Sequence, residues 1–146
     1  MSVTIRIATE NDFEVLVEFF KEFARFEQLE ARMTNSVERM KAEKEYFNCF
    51  VALNLQGEIV GYATYFFAYF TWTGKSIYMD DLYVKESYRG KGIGSMLIQK
   101  VIGYAKAAQC HKLRWQVSDW NAPAIRFYKS LGGVIDAQER NCDLDL

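Results

Sequence analysis

The feature that most constrains the fold is a change of hydrophobic period at a cluster of glycines. A strand pattern ends near Val84, and a Gly-rich turn leads into a helical pattern that begins at Gly92. This arrangement lets successive backbone N–H groups and the helix dipole face one phosphate group. Glycine is needed there because a Cβ would block close approach or forbid the backbone angles. The same turn also fits a plain strand-to-helix connection, and it lacks the Lys-Ser/Thr pair of the P-loop and the third glycine of the dinucleotide fingerprint.

Hydrophobic spacing and capping residues predict the other elements. Helices are expected from Glu10 to Phe26, after Ser36 as N-cap, and after Asn121 as N-cap. The predicted strands are Val3–Ile7, Cys49–Leu53, Glu58–Phe70, Ser76–Val84, Leu113–Val117 and Val134–Leu146. The order β-α-α-β-β-β-α-β-α-β predicts the α/β class, with a mixed, mostly antiparallel (α+β) sheet flanked by helices. We expect a single domain over residues 1–146, since no linker separates two compositions.

Charge and hydropathy exclude several classes of protein. The 18 Lys and Arg against 19 Asp and Glu give a net charge of -1, which excludes a basic nucleic-acid module as the main function. No run approaches the roughly 18 apolar residues that a membrane helix requires, and the first ten residues do not resemble a signal peptide. Cys49, Cys110 and Cys142 are odd in number and far apart, which supports neither a disulfide framework nor a metal site. We therefore predict a cytoplasmic protein without a metal, a membrane or a nucleic-acid partner.

Two motifs carry a resemblance to a known family. Residues 89–94, RGKGIG, are similar to the R/Q-x-x-G-x-G/A pyrophosphate loop of the GNAT acetyltransferases. Residues 121–132, NAPAIRFYKSLG, resemble the family's second signature, N-x-x-A-x-x-F/Y-Y-x-x-x-G-F, with Gly133 in place of the final Phe. The resemblance covers nearly the whole chain and implies an acetyl-CoA-dependent N-acetyltransferase.

A narrower resemblance points to the diamine (spermidine/spermine) and thialysine acetyltransferase branch. It is carried by Phe26-Glu27, residues 72–75 (WTGK), residues 78–81 (YMDD), residues 88–95 (YRGKGIGS) and residues 119–121 (DWN). The branch has Glu where Asp80 stands, and its polyamine members have an acid where Phe70 stands. The acceptor is accordingly left open among a diamine, a polyamine and a lysine-like amine.

The resemblance implies a set of residues that bind acetyl-CoA. Backbone groups of residues 82–84, splayed at a bulge in the strand, would hold the pantetheine arm and face the thioester oxygen. The Gly-rich loop would hold the pyrophosphate, to which Arg89 could add charge-assisted contacts unless it is a solvated surface cation. The full implied set is Leu82, Tyr83, Val84, Arg89, Gly90, Lys91, Gly92, Ile93, Gly94, Ser95, Asn121, Pro123 and Ala124.

The resemblance also implies two catalytic residues. Asp80 matches the base, acting directly or through a water, because an alkyl ammonium with a pKa of about 10.4 must lose a proton before it attacks. Tyr128 would protonate the leaving thiolate, although a tyrosine on an amphipathic helix can equally be a packing residue. The implied acceptor site comprises Phe26, Glu27, Trp72, Asp80 and Asp81. Adjacent strand residues point to opposite faces, so Asp80 and Asp81 share a pocket only if the strand is bulged.

The sequence is compatible with three functions. The leading hypothesis is direct acetyl transfer to the primary amine of a small cationic molecule. The alternatives are acetylation of a protein or peptide, which predicts a wide neutral groove, and a CoA-binding module without turnover. The filled Tyr128 position favours catalysis. A homodimer is expected from the family resemblance, with the exposed aromatic residues of the antiparallel strands as the candidate interface.

Overall fold

The hydrophobic periods of the chain correspond to nine regular elements in the computed structural model, which describes residues 2–146. Single turns of 3-10 helix accompany them. The strands and helices in chain order are β1 Thr4–Ile7, α1 Phe13–Phe26, α2 Val37–Ala42, β2 Asn48–Leu53, β3 Ile59–Phe70, β4 Gly74–Val84, α3 Ile93–Ala107, β5 Lys112–Arg114 and α4 Ala122–Ser130.

The strands form one sheet in the order β1-β2-β3-β4-β5. The first three neighbouring pairs are antiparallel, and β4 pairs with β5 in parallel after the α3 connection. A parallel pair requires such a crossover, whereas the antiparallel pairs need only short turns. The predicted mixed, mostly antiparallel α/β sheet flanked by helices is confirmed.

Alternation along the strands gives the sheet two buried faces. On one face Val51 of β2 and Tyr62 of β3 pack in one cluster with Leu16 of α1. On the other face Phe50 contacts Tyr104 of α3, with 6.4 Å between the ring centroids. Successive strand residues point to opposite faces, so α1 and α3 cover opposite sides of the sheet.

The chain divides into two compact units, of which the first extends to Trp115 and contains the sheet. The second comprises residues 116–146 and contains α4. The Asn121 side chain accepts a hydrogen bond from the Ala124 N–H at 3.3 Å, which confirms the predicted helix cap. The predicted final strand over residues 134–146 is wrong, since that segment has no regular secondary structure. Asp136 gives a physical reason, because its carboxylate accepts the N–H groups of Gln138 and Glu139 and bends the chain locally.

None of the helices within residues 2–146 combines the length and the apolar composition that crossing a membrane requires.

The start of the first helical segment is fixed by an ion pair in which Asp12 is buried and Arg6 is partly exposed. Asp12 is only 7% exposed, accepts two hydrogen bonds from the Arg6 guanidinium at 2.8 and 2.9 Å, and accepts the Thr9 N–H at 2.7 Å. The hydrogen bonds from Arg6 are the main cause that lowers the pKa of Asp12. This carboxylate therefore stabilises the fold in its ionised form.

Replacing Asp12 with asparagine is expected to lower the free energy of unfolding at pH 7 by about 1–2 kcal/mol, because hydrogen bonds to a charged group are lost. The folded pKa of Asp12 is depressed, so the stabilisation is present above the unfolded pKa of about 3.9 and is lost as the pH falls through the folded pKa. Urea unfolding at pH 7 and pH 3 measures this. The difference between the two proteins should shrink at pH 3.

Glu10→Gln is the matched control, because Glu10 forms an ion pair with Lys44 at 3.0 Å in which both side chains are largely exposed. An exposed pair contributes less than about 1 kcal/mol. An Asp12→Asn variant as stable as Glu10→Gln at pH 7 would contradict the role assigned to Asp12.

Candidate active site

The Gly-rich turn before α3 has the geometry of an anion site. Gly90 and Gly92 adopt φ values of +75° and +82°, in the left-handed region that disfavours other residues. Gly92 is the N-cap of α3, and no acidic residue lies in the first turn of that helix. A Cβ at either glycine would meet nothing within 4 Å. The backbone N–H groups at the start of α3 therefore border open space at the positive end of a helix dipole.

Arg89, at the start of this turn, contacts both the sheet and α1. Its Nε donates to the Val84 carbonyl at 2.8 Å, and its guanidinium lies 4.7 Å from the Phe26 ring centroid and 5.2 Å from that of Tyr83. Tyr83 in turn donates its hydroxyl to Glu22 of α1 at 2.7 Å. Phe26, predicted to contact the acceptor, thus contacts Arg89 and Tyr83. The charge of Arg89 is held beside the loop that the sequence assigns to pyrophosphate.

The edge of β4 is only partly covered by β5. The pairing with β5 ends at Tyr78, so β4 continues to Val84 without a strand partner on that side within residues 2–146. The register with β3 is regular from Leu82 to Val84, and the bulge predicted for these residues is therefore misplaced. A bulge does occur earlier in the strand, at Asp80.

This bulge brings two adjacent carboxylates to one site. Thr64 of β3 is opposite Asp81, and the next residue, Tyr65, is opposite Met79, which leaves Asp80 as the extra residue of β4. A regular strand would direct Asp80 and Asp81 to opposite faces, whereas the bulge lets both line the same pocket. The strand is therefore bulged in the way that Asp80 and Asp81 need in order to share one pocket.

The pocket has a volume of about 580 Å³. It lies between the helices α1 and α2 and the bulged region of the sheet. Its walls are mainly aromatic and aliphatic, with three carboxylates and one guanidinium among the polar groups. The lining residues are Phe20, Phe23, Ala24, Glu27, Leu29, Arg32, Met33, Asn35, Met40, Phe47, Thr64, Tyr65, Phe66, Asp80 and Asp81.

The surroundings of the two aspartates raise the pKa of both carboxyl groups. Burial, the nearby charge of Asp80 and that of Glu27 raise the pKa of Asp81 to about 7, against an opposing hydrogen bond from Tyr62. Desolvation also raises the pKa of Asp80, although its side chain opens into the pocket. A group whose pKa lies near neutrality in a pocket is suited to proton transfer.

Of the residues predicted to bind the acceptor, Glu27, Asp80 and Asp81 line this pocket, whereas Trp72 does not. Trp72 is 98% exposed in the turn between β3 and β4, and it does not line this pocket. Tyr128 lies on α4 in the unit of residues 116–146, half-buried, with its ring 5.5 Å from that of Phe127. Asn121, Pro123 and Ala124 form the start of the same helix.

Several lining residues had no signal in the sequence. Arg32 lies in a single 3-10 turn, and Met33 and Phe47 lie in loops beside α1 and α2. Only the fold places these residues on the pocket. Two adjacent acids inside the otherwise apolar and aromatic run of residues 77–84 did carry a signal for the bulge, because a regular pleat would have buried one of them.

Comparison with known proteins settles the family. The model of the acetyltransferase (GNAT) family matches residues 13–132. The chain belongs to the GNAT family. It is 42% identical to the thialysine N-epsilon-acetyltransferase of Sus scrofa over 90% of this chain and 84% of that protein. It is 32% identical to the human spermidine/spermine N(1)-acetyltransferase-like protein 1 over 89% of this chain and 20% of that protein. A Trypanosoma brucei acetyltransferase structure shares 25% identity and a TM-score of 0.76, with 99% and 100% of the two chains covered.

Membership of the GNAT family confirms two predictions from the sequence. The chain is an N-acetyltransferase, and acetyl-CoA is its co-substrate. The residues present fit this co-substrate, because the Gly90 and Gly92 turn leaves open the space that a Cβ would fill and directs the start of α3 toward it. The open edge of β4 lies directly before that turn.

Proposed function

We propose that this GNAT enzyme transfers the acetyl group of acetyl-CoA directly to the distal primary amine of a small cationic acceptor. The observation that carries the proposal is the pocket into which the bulge brings Asp80 and Asp81, with Glu27 on the same lining. Three carboxylates attract an ammonium group, and the aromatic walls suit an alkyl chain that carries the charge. A protein acceptor predicts a neutral groove, which this pocket is not.

The proposal assigns acetyl-CoA to the loop and strand edge described above. When bound, the co-substrate supplies an acetyl thioester that an amine can attack. Backbone groups of Leu82 to Val84 hold the pantetheine arm, and residues 90–95 hold the pyrophosphate through their N–H groups. Arg89 adds positive charge beside the loop, and Asn121, Pro123 and Ala124 complete the set of binding residues.

Two proton transfers complete the proposed reaction. The Asp80 and Asp81 pair binds the ammonium and removes a proton, because only the neutral amine carries the lone pair that attacks. Tyr128 gives a proton to the leaving thiolate.

Arg32 favours a lysine-like acceptor over a simple diamine. It lines the same pocket as the three carboxylates and forms no ion pair within residues 2–146. A guanidinium in a fork geometry suits a carboxylate, whereas a polyamine offers it only positive charge. The thialysine N-epsilon-acetyltransferases, at 42% identity in one case, agree with this acceptor class.

Lysine and cadaverine are expected to differ as acceptors, because they share the distal amine and the alkyl chain and differ by the carboxylate. We expect a kcat/KM about 2- to 5-fold higher for lysine, the range for an exposed charge pair of up to about 1 kcal/mol. Release of the free CoA thiol measures both rates. Arg32→Gln should reduce the ratio to about one.

Arg39→Gln is the matched control, since Arg39 lies on α2 outside the pocket and should leave the ratio as in the wild type. Equal rates for lysine and cadaverine in the wild type would contradict the role of Arg32. Absence of turnover with any cationic amine, together with turnover of a peptide N-terminus, would overturn the proposed acceptor class.

Homodimer formation and a cytoplasmic location stay predictions. Phe67, Tyr69 and Trp72 are exposed on the β3 and β4 hairpin, which supports this hairpin as the surface for a second copy. The three cysteines are free thiols, which agrees with a reducing compartment. Concentration-dependent light scattering tests the first prediction.

A further inference from the structure

We infer that Asp81 is the group that takes the proton from the acceptor amine, that Tyr62 is its positioning residue, and that Asp80 holds the ammonium. This inference rests on the proposed function and deepens it. It reverses the assignment that the family resemblance gives, in which Asp80 is the base. The two aspartates share one pocket but differ in their contacts, and those contacts decide between them.

Asp81 is fixed from two sides. Its Oδ2 accepts the Tyr62 hydroxyl at 2.9 Å, and its backbone N–H donates to Thr64 Oγ1 at 3.1 Å. Tyr62 is fully buried, with its ring packed against Phe20 at 5.2 Å between centroids. Moving the Tyr62 hydroxyl away from Asp81 would therefore disrupt the packing of the core. A proton acceptor must be held in one geometry, and this carboxylate is held.

Asp80 has the opposite character. Its side chain is exposed and has no side-chain hydrogen bond within residues 2–146. As the extra residue of the bulge, it extends from the strand without a cross-strand partner. An accessible carboxylate without a hydrogen bond is suited to holding a cation by charge, whereas a carboxylate fixed by a hydrogen bond is suited to receiving its proton.

The charges around Asp81 support this division. Asp80 of β4 and Glu27 after α1 face it as acidic groups, and Tyr62 of β3 faces it as a hydrogen-bond donor. The Cys49 thiol of β2 also faces it, but burial raises the pKa of that thiol and keeps it neutral. Burial, the charge of Asp80 and that of Glu27 raise the pKa of Asp81 to about 7 from an ordinary 3.8, against the hydrogen bond from Tyr62. Proton transfer from an alkyl ammonium with a pKa of about 10.4 is thereby about 10³-fold less unfavourable than to an ordinary aspartate.

The reaction balances with these roles. The ammonium loses one proton to Asp81, the nitrogen forms a bond to the acetyl carbon, and the carbon–sulfur bond breaks with its electron pair left on sulfur. Tyr128 gives its proton to the thiolate, and the second proton that the nitrogen loses as the amide forms returns Tyr128 to its protonated state. Asp81 then releases its proton to water, so the net products are the amide, the CoA thiol and one proton.

The test is the pH dependence of kcat/KM for lysine in the wild type and in three variants. The wild type should lose activity below an apparent pKa near 7. Asp81→Asn should lower kcat by about 10²- to 10⁴-fold and abolish that dependence. Asp80→Asn should raise the KM for lysine and keep the dependence. Tyr62→Phe should raise the apparent pKa of the activity profile by about 1 to 2 pH units, because the Asp81 carboxylate loses a hydrogen bond that favours its charged form.

Tyr104→Phe is the matched control, since it removes a tyrosine hydroxyl from an aromatic contact on the α3 face of the sheet and should leave the pH dependence unchanged. The assignment to Asp81 is overturned if the dependence vanishes in Asp80→Asn and persists in Asp81→Asn. A Tyr62→Phe profile identical to that of the wild type overturns the positioning role. A wild type that acetylates no amine contradicts the proposed function itself, which separates that failure from the other two.

Discussion

A Gly92→Val variant is expected to lose most of the thermal stabilisation that acetyl-CoA gives the wild type. Gly92 has a φ of +82° at the N-cap of α3, where a β-branched residue is strained by about 1–2 kcal/mol. Its Cβ would also occupy the open space that borders the amides of the turn. Both effects disrupt the loop proposed to bind the pyrophosphate, so we expect the affinity for acetyl-CoA to fall by about a hundredfold.

Differential scanning fluorimetry measures this loss. At a ligand concentration of 100 times Kd, binding stabilises the wild type by about 2.7 kcal/mol, or roughly 5–11 °C in Tm for a chain of this size. A hundredfold weaker site leaves about 0.4 kcal/mol, or a shift of roughly 1 °C. Each variant is compared with its own ligand-free Tm, because the strain also lowers stability in the absence of ligand.

Two further valine variants separate the loop from the helix. Gly94→Val alters the first turn of α3, where a Cβ would lie 3.8 Å from Val84, and it should also weaken binding. Gly103→Val adds the same side chain later in α3, at a position with nothing within 4 Å, and should keep the full shift. Equal shifts in the wild type and in Gly92→Val would exclude this turn from the binding site.

Tyr128→Phe is expected to lower kcat by about 10- to 10³-fold with little change in acetyl-CoA affinity. A positioned general acid raises the rate by about 10²- to 10⁴-fold. Because a thiolate is stable enough to leave without full protonation, the range expected for this variant extends to smaller losses of kcat. Phenylalanine preserves the ring and its contact with Phe127. The variant should therefore keep its fold and its acetyl-CoA thermal shift.

Single-turnover kinetics, in which the chemical step limits the rate, provide the measurement for Tyr128. Tyr46→Phe is the matched control, because Tyr46 is 71% exposed in a short 3-10 turn outside the pocket. A Tyr128→Phe rate equal to that of Tyr46→Phe would contradict the acid role and leave Tyr128 as a packing residue.

Elements with a strong hydrophobic period were predictable from the sequence. The helix after Gly92 and the one capped by Asn121 begin where capping and periodicity place them, because these signals are local. The strand predicted after Val134 failed, since its apolar residues lack a sheet partner and Asp136 bends the backbone instead.

The site was only partly predictable, for reasons of tertiary structure. Asp80 and Asp81 were singled out from the motif, but their convergence depends on a bulge whose position is set by the pairing of β3 with β4. Tyr62 gave no signal as a partner of Asp81, because the cross-strand register that joins them involves residues 19 positions apart. Arg32 reaches the pocket from a single 3-10 turn, which is too short for a hydrophobic period to guide prediction.

The most direct test of the central claim is to incubate the enzyme with acetyl-CoA and lysine and to locate the acetyl group by tandem mass spectrometry, while the released CoA thiol is counted. The proposed function predicts one thiol released per acetyl group, with that group on the distal nitrogen of lysine. Thiol release without an acetylated product, or acetylation confined to the α-nitrogen, would contradict it.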